Sequence, residues 1–370
     1  MIKHITQIIS TQYRIILSHR SVMLIFIVAP LIYAFLYSTA YDKQVVTKVP
    51  IAMIDNSQSA ESNDLKIMLN ASPYIDVAYM VTDMTEAKKL LYSRKIYGIV
   101  LIPNNYTNNI IKGEQSTIAL YLDASYFLMY RQLFQGVASV ISTINAQHAP
   151  IEVVRFSSHT LFNATLGYGS FIMPAILLII LQQTALMAIG VIGSIWNRYR
   201  LYAPYTTAEI LLGQTLSYLP VSIVLVCYIV AIHNYIFGYP QNGTIGAIIA
   251  IMVPYIIGFT LLGVAISTRF RRSESAILTL VATSVPALLV SGASIPKQGF
   301  SKLLYIIGKL LPSSSAVESY YRVEAMGATA GEVLPQIATL WLLVIAYGTV
   351  AYIAIKIKAS ERTINPRTPL

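Results

Sequence analysis

The stretch FIMPAILLIILQQTALMAIGVIGSI, Phe171–Ile195, runs for twenty-five residues without a charged side chain. At 1.5 Å per residue, a helix of this length crosses the ~30 Å of hydrocarbon in a bilayer. Outward from it in both directions lie further apolar runs: Val22–Tyr37, Leu211–Phe237, Ile245–Ser267, Ala276–Val290 and Ile337–Ile355. The Ala276–Val290 run is short and is expected to break at Pro286, because proline removes a helical hydrogen bond. These runs predict an α-helical integral membrane protein with six transmembrane helices, at 21–40, 170–195, 211–237, 244–268, 275–292 and 337–356.

Composition agrees. Charged residues make up 11% of the chain and hydrophobic ones 55%, whereas a soluble domain carries roughly 25% charged residues. The net charge of +10 is unevenly placed. Residues 41–165 hold ten Lys/Arg and ten Asp/Glu, so the excess lies wholly in the rest of the chain. There the cations flank apolar runs, which marks them as topology determinants and argues against a nucleic-acid-binding face. With the N-terminus in the cytoplasm, twelve Lys/Arg fall in inside segments, among them Arg14, Arg198, Arg271 and Lys356. Four fall in short outside segments: Lys297, Lys302, Lys309 and Arg322. Both termini are therefore expected inside.

Met1–Arg20 sets Ile2, Ile5, Ile9 and Ile16 against Lys3, His4, Gln7 and Arg14, the pattern of an amphipathic helix (1–20) lying in the cytoplasmic interface. An uncleaved anchor is favoured over a signal peptide, because the charged region is long and no clean small-residue cleavage site follows. Residues 41–165 form a hydrophilic insertion, expected outside the cytoplasm. Strands are expected at Val49–Ile54, Ile75–Val81, Ile96–Ile102 and Thr117–Leu122. Helices are expected at Glu61–Asn70, at Thr85–Tyr92 behind an Asp83 cap, and at Tyr126–Ala146. Alternating strands and helices make this a small α/β domain. Residues 293–336 are cut by Pro296, Pro312 and Pro335, with short helices at Phe300–Leu311 and Ser315–Met326 that line a vestibule or re-enter the membrane. A tail follows at 357–370.

Catalytic signatures are missing from the sequence. There is no P-loop, no H-E-x-x-H and no G-x-S-x-G. The five histidines never fall at i, i+3 or i+4; His148 and His159, eleven apart, are expected as ordinary surface residues. His233, near a span end, is expected at the interface, and the single cysteine, Cys227, as a small core residue. Gln182 and Gln183, in mid-span, are expected to hydrogen-bond between helices. The 26 tyrosines, many at span ends, fit an aromatic belt.

The order of several short patterns resembles the permease subunits of ABC-2-type transporters, in the drug- and lipid-efflux branch with a large extracytoplasmic domain after the first span. A strand ends in Asp at Ile51-Ala52-Met53-Ile54-Asp55, and another runs into Ile-Pro at Tyr97–Pro103. Gly113 and Asp123 follow. Pro174 opens the second span, Glu209 and Gly213 give E-x-x-x-G before the third, and Ser291-Gly292, Pro296 and Pro312 follow the fifth. The likeness covers nearly the whole chain. It implies a non-enzymatic exporter permease in a bacterial inner membrane, working as a homo- or heterodimer with a second permease copy or paralogue. It further implies a separate cytoplasmic ABC ATPase that carries ATP and Mg²⁺, and no cofactor on this chain; the size and position of the inserted domain add the expectation of a periplasmic adaptor. The ATPase-coupling loop at 196–210 is expected to act through Trp196, Arg198, Arg200 and Glu209. The re-entrant region is expected to act through Ser291, Gly292, Pro296, Pro312 and Glu318. The loop reads Trp196-Asn197-Arg198-Tyr199-Arg200-Leu201-Tyr202 and lacks the acidic residues and Gly-Thr common in the family. That departure is the expectation of a subunit paired with a different permease carrying the usual loop. The rival reading is a membrane-anchored receptor that uses the inserted domain.

Overall fold

The computed structural model describes residues 1–40, 47–123, 127–148, 168–239, 241–293 and 299–364. Two compact units divide the chain: Met1–Asp42 with Leu161–Leu370, and Lys43–Thr160. The first unit begins with α1 (Ile2–Ser18) and α2 (Arg20–Ala40), which passes through a π-helical turn at Leu24–Val28. The second unit contains β1 (Val49–Asp55), α3 (Ala60–Ala71), β2 (Ile75–Val81), α4 (Met84–Tyr92), β3 (Gly98–Ile102), α5 (Tyr106–Lys112), β4 (Ala119–Leu122) and α6 (Phe127–His148). The first unit then resumes with α7 (Tyr168–Arg198), α8 (Thr207–Ile236), α9 (Ile245–Ser267), α10 (Ser273–Ala282), α11 (Ser284–Val290), α12 (Lys302–Lys309), α13 (Pro312–Met326) and α14 (Leu334–Ile364).

Among the described residues, six segments are long and apolar enough to cross a membrane: Arg20–Ala40, Ile172–Arg198, Thr207–Ile236, Ile245–Ser267, Ser273–Val290 and Leu334–Ser360. Of these, α7 is the axis of its unit. Ile172, Leu177, Leu178, Ile179, Leu186 and Val191 are buried and lie on all its faces, and a helix apolar all round belongs at the centre of a bundle. α2, α9, α10 and α13 pack around it, and α14 packs on α9. Closest approach is at Gly193, where a Cβ would lie 2.4 Å from the Ser267 Cβ; only glycine lets these two backbones meet. The fifth span is interrupted at Thr283, between α10 and α11. Pro286 lies beyond the break, and its ring displaces the carbonyl four residues earlier, that of Ala282.

One side chain lies where the sequence reading did not put it. Cys227 is exposed, not in the core, on a flank of α8 shared with the exposed Ile223 and Val224. His233, near the end of its span, is fully buried within the unit, with Nε2 2.8 Å from Ser38 Oγ and 3.2 Å from the Ala34 carbonyl. A bundle in lipid is apolar outside as well as inside, so apolarity alone cannot assign a face.

In the inserted unit the strand order is β2-β1-β3-β4. The β1/β2 and β1/β3 pairs are parallel and β3/β4 is antiparallel. Side chains alternate along β1. Val49, Ile51 and Met53 join a core with Leu65, Leu69, Leu133 and Val137, while Ala52 and Ile54 join Ala87 and Ile96 on the other side. The central strand is thus covered on both faces, as a parallel sheet requires. The pattern residues of this unit shape its turns. Asp55 Oδ1 accepts from the Ser57 and Gln58 N–H groups (both 3.0 Å), and Oδ2 accepts from Ser62 Oγ (2.7 Å). Ser62 and Ser59 form the capping box of α3. Gly113 ends α5 at φ +70°, and the Asp123 N–H donates to the Tyr97 carbonyl at 3.1 Å. The unforeseen helix α5 carries the two marks of a helix end, Lys112 and Gly113.

Asp55 accordingly fixes the turn that starts α3. In full-length Asp55→Ala, the amides of residues 57–71 are expected to exchange hydrogen at least tenfold faster, with the helices of the other unit unchanged. Equal exchange in both proteins would contradict this role.

Candidate coupling surface and the buried short helix

At the end of α7, Trp196 is fully buried and meets Tyr202 edge-on, with ring centroids 5.5 Å apart. The next residue holds the helix end in place. Asn197 Nδ2 lies within hydrogen-bond distance of three carbonyls at the end of α9: Ser267 (3.2 Å), Thr268 (3.2 Å) and Phe270 (2.7 Å). Helix ends leave such carbonyls without intrahelical partners. The chain then turns through Arg198, Tyr199 and Arg200, all exposed, with the Arg198 guanidinium 5.9 Å from the Tyr199 ring centre.

Thr206 and Glu209 start α8 with a capping box. Glu209 Oε2 accepts from the Thr206 N–H (2.9 Å), and Thr206 Oγ1 accepts from the Glu209 N–H (3.4 Å). The second carboxylate oxygen faces α1: Oε1 lies 3.1 Å from His4 Nδ1 and 3.5 Å from the N-terminal ammonium of Met1. One turn on, a Cβ at Gly213 would stand 2.7 Å from Ile8 Cγ2. Both residues of the E-x-x-x-G pattern therefore dock α1 onto α8, one through its contact with His4 and one by making room. Of the four residues expected in the coupling loop, Glu209 and Trp196 are buried in the framework, and Arg198 and Arg200 are exposed at its edge. The loop itself is shorter than expected, because α7 continues to Arg198 and α8 begins at Thr207.

The second group gathers at the start of α13. Proline is favoured in a first helical turn, so α13 begins at Pro312, ahead of the expected Ser315. The Ser313 N–H, an orphan of that turn, donates to Gln182 Oε1 at 2.8 Å. Gln182 sits in mid-span on α7, which places the N-terminus of α13 at mid-span depth. Serines 313, 314, 315 and 319 are buried along α13, small enough for close packing against α7, α9 and α14. Ser291 ends α11 with its hydroxyl donating to the Leu288 carbonyl (2.7 Å); Gly292 follows at φ +86°, and Ser314 Oγ donates to the Ser291 carbonyl at 3.5 Å. Pro296 lies outside the described residues. Glu318 is half-buried and accepts from Gln336 Nε2 at 2.7 Å, facing α14 and apart from the Ser291–Pro312 group.

Asn197, Asn234 and Glu324 are placements that the sequence reading did not reach. Asn234 Nδ2 donates to Tyr320 Oη at 2.9 Å. Glu324 is buried, and burial pushes its carboxyl up to about 7 against the opposing pull of the Gly243 N–H. Asn197 and Asn234 show in the sequence only as polar residues in or beside apolar runs, and Glu324 only as one of several charged residues in 312–326. Among the described residues no group of three or more His, Cys, Asp or Glu is placed to hold a metal ion.

This six-span unit, with a capped loop, a docked N-terminal helix and an inserted α/β unit, has the organisation of a membrane transport permease. A family described as ABC-2 family transporter protein matches residues 20–353, and the chain belongs to that family. It is similar to the inner membrane transport permease YhhJ of Escherichia coli (strain K12), 23% identical over 317 residues, which cover 82% of this chain and 83% of that protein. The permease of the same name from Shigella flexneri matches at the same identity and coverage.

Two outcomes follow. Gly213→Leu is expected to push Ile8 away and undock α1, so that the amides of residues 2–18 exchange at least tenfold faster while those of α7 stay protected. Unchanged exchange of α1 would contradict the docking. Because the Glu324 carboxyl is raised in the fold, its stabilising contribution is complete below the ordinary value of about 4.5 and is lost as pH rises through about 7. The thermal midpoint of the wild type in detergent should fall between pH 5 and pH 8 relative to Glu324→Gln. Parallel pH profiles for the two proteins would be inconsistent with this.

Proposed function

We propose that this permease is the membrane half of an ATP-driven exporter in a bacterial inner membrane. It forms the pathway with a second copy or a paralogue, and a separate cytoplasmic ABC ATPase supplies ATP and Mg²⁺ chemistry. Both termini lie in the cytoplasm, residues 43–160 lie on the outer side, and a periplasmic adaptor meets them there. The observation that carries the reading is Glu209. Its two carboxylate oxygens hold the first turn of α8 and the start of α1 at once, and Asn197 fixes the end of α7 to the end of α9. A force applied at this basic end therefore reaches four helices as one body. That is what an ATPase needs in order to shift a bundle between two arrangements. The YhhJ proteins, named as inner membrane transport permeases, support the location, and the Lys/Arg distribution supports the orientation.

The test is purification of the tagged protein from its own host in mild detergents, with mass spectrometry of what accompanies it. A stoichiometric P-loop ATPase is expected, with or without a second permease. If no nucleotide-binding protein accompanies the chain in any mild detergent, the exporter reading fails and a receptor role for the inserted domain takes its place.

A further inference from the structure

Four arginines border one cavity at the basic end of the six-span unit. Arg14 comes from α1, Arg198 from the end of α7, and Arg271 and Arg272 from the start of α10. The cavity holds about 400 Å³ and is open to one side, a size typical of small-molecule sites. All four arginines are exposed, and among the described residues none forms an ion pair with a carboxylate. Glu274 is the one acid on the cavity wall, so its charge is far from balancing theirs. Ser194 and Ser273 face each other there with hydroxyls 3.0 Å apart. Arg272 is also the N-cap of α10 and makes no side-chain cap, so the first N–H groups of that ten-residue helix add partial positive charge. A fork of guanidinium donors, hydroxyls and free helix N–H groups suits one ligand chemistry, a phosphate monoanion or diester.

The apolar surroundings decide the source of that phosphate. Ile15 and Ile195 line the cavity itself. Below Glu274 on the same face of α10 stand Leu278 and Val281, one and two turns on and exposed. Leu17, exposed, stands one turn beyond Arg14 on α1. Leu278 and Val281 belong to the fifth span, so the bilayer's own phospholipids stand beside the cavity, and one such molecule can place its headgroup on the arginines and its chains along these side chains, whereas a soluble anion or an acidic protein segment uses the arginines alone. We propose that the Arg14–Arg198–Arg271–Arg272 cavity binds the headgroup of an anionic phospholipid from the inner leaflet, with its acyl chains lying along α10 and α1. Basic pockets between helix ends on the cytoplasmic side are suited to such headgroups. The lipid would thereby join α1, α7 and α10 at the surface where α1 docks. The proposal rests on the cytoplasmic placement of this face argued above.

The experiment uses the full-length protein, delipidated in a neutral detergent, with binding followed by native mass spectrometry and by shift of the thermal midpoint. The probes are dioctanoyl phosphatidylglycerol, dioctanoyl phosphatidylcholine and inorganic phosphate. Phosphatidylglycerol is expected to bind the wild type and raise its midpoint, and the other two are expected not to. The double variants Arg271→Ala/Arg272→Ala and Arg14→Ala/Arg198→Ala should each weaken phosphatidylglycerol roughly tenfold or more. Lys3→Ala and Lys356→Ala, which remove cations outside the cavity, should not. Arg271→Lys/Arg272→Lys, which keeps charge and loses the planar fork, should recover part of the affinity and covers the case of an alanine variant that fails to fold. Equal binding of the two lipids, or phosphatidylglycerol binding unaffected by the double variants, overturns the site. Inorganic phosphate binding as tightly as phosphatidylglycerol overturns the lipid as occupant. Loss of a co-purified ATPase in the double variants with lipid binding intact assigns the arginines to a protein partner and overturns the proposal. Lipid binding as expected in a protein that brings no ATPase supports the site and leaves the exporter reading to fail on its own.

Discussion

Helix ends at the edge of an apolar bundle leave carbonyls that neither the helix nor bulk water satisfies, and the amide of Asn197 gathers three of them at the end of α9. That contact needs the two backbones in close approach, which Gly193 against Ser267 permits. Once α7 and α9 are fixed there, the chain between α7 and α8 has only a short turn in which to reverse, with Trp196 and Tyr202 packed beneath it. The turn delivers Glu209 to the position where it caps α8 and meets α1. An apolar run cannot supply this ordering by itself, because lipid tails offer helices as good a solvent as other helices do. Polar contacts and small residues therefore select one packing among many.

The same logic operates deeper in the unit. A helix that starts at mid-span carries orphan N–H groups into a place where each would cost several kcal/mol if left alone. Pro312 removes one donor and Gln182 satisfies the next at Ser313. α13 then packs through its serines against three helices and ends at Gly327, with its last acidic residue, Glu324, under the Gly243 N–H. A polar helix in this setting couples the middle of α7 to the loop at the far end of α13. It forms a second rigid path alongside the one through α1.

The spans were legible because the bilayer imposes a length and an apolarity that few other structures share. Phe171–Ile195 needs no partner to be recognised, and the continuous apolar run Val49–Ile54 likewise declares a strand buried on both faces. Turn and cap residues such as Asp83 and Thr206–Glu209 act within three residues of themselves, so they too can be read locally. What could not be read depends on residues far apart. His233 is placed by Ser38, Asn234 by Tyr320, and Gly213 by Ile8, each pair separated by 86 residues or more. Cys227 was misassigned because the lipid-facing and core-facing sides of a span share one composition. Glu209 was read only as part of a family pattern and a coupling loop; its capping box with Thr206 lay in the sequence unread, and its contact with His4 of α1 exists only in three dimensions.

The central claim is that Glu209 unites α1 and α8 into the body on which an ATPase acts. Its most direct test is ATP hydrolysis by the purified permease–ATPase complex in proteoliposomes, comparing the wild type with Glu209→Ala. The account predicts that the variant retains stoichiometric ATPase while hydrolysis under permease control falls at least tenfold. Hydrolysis at the wild-type rate, with α1 shown by hydrogen exchange to be undocked, would contradict it.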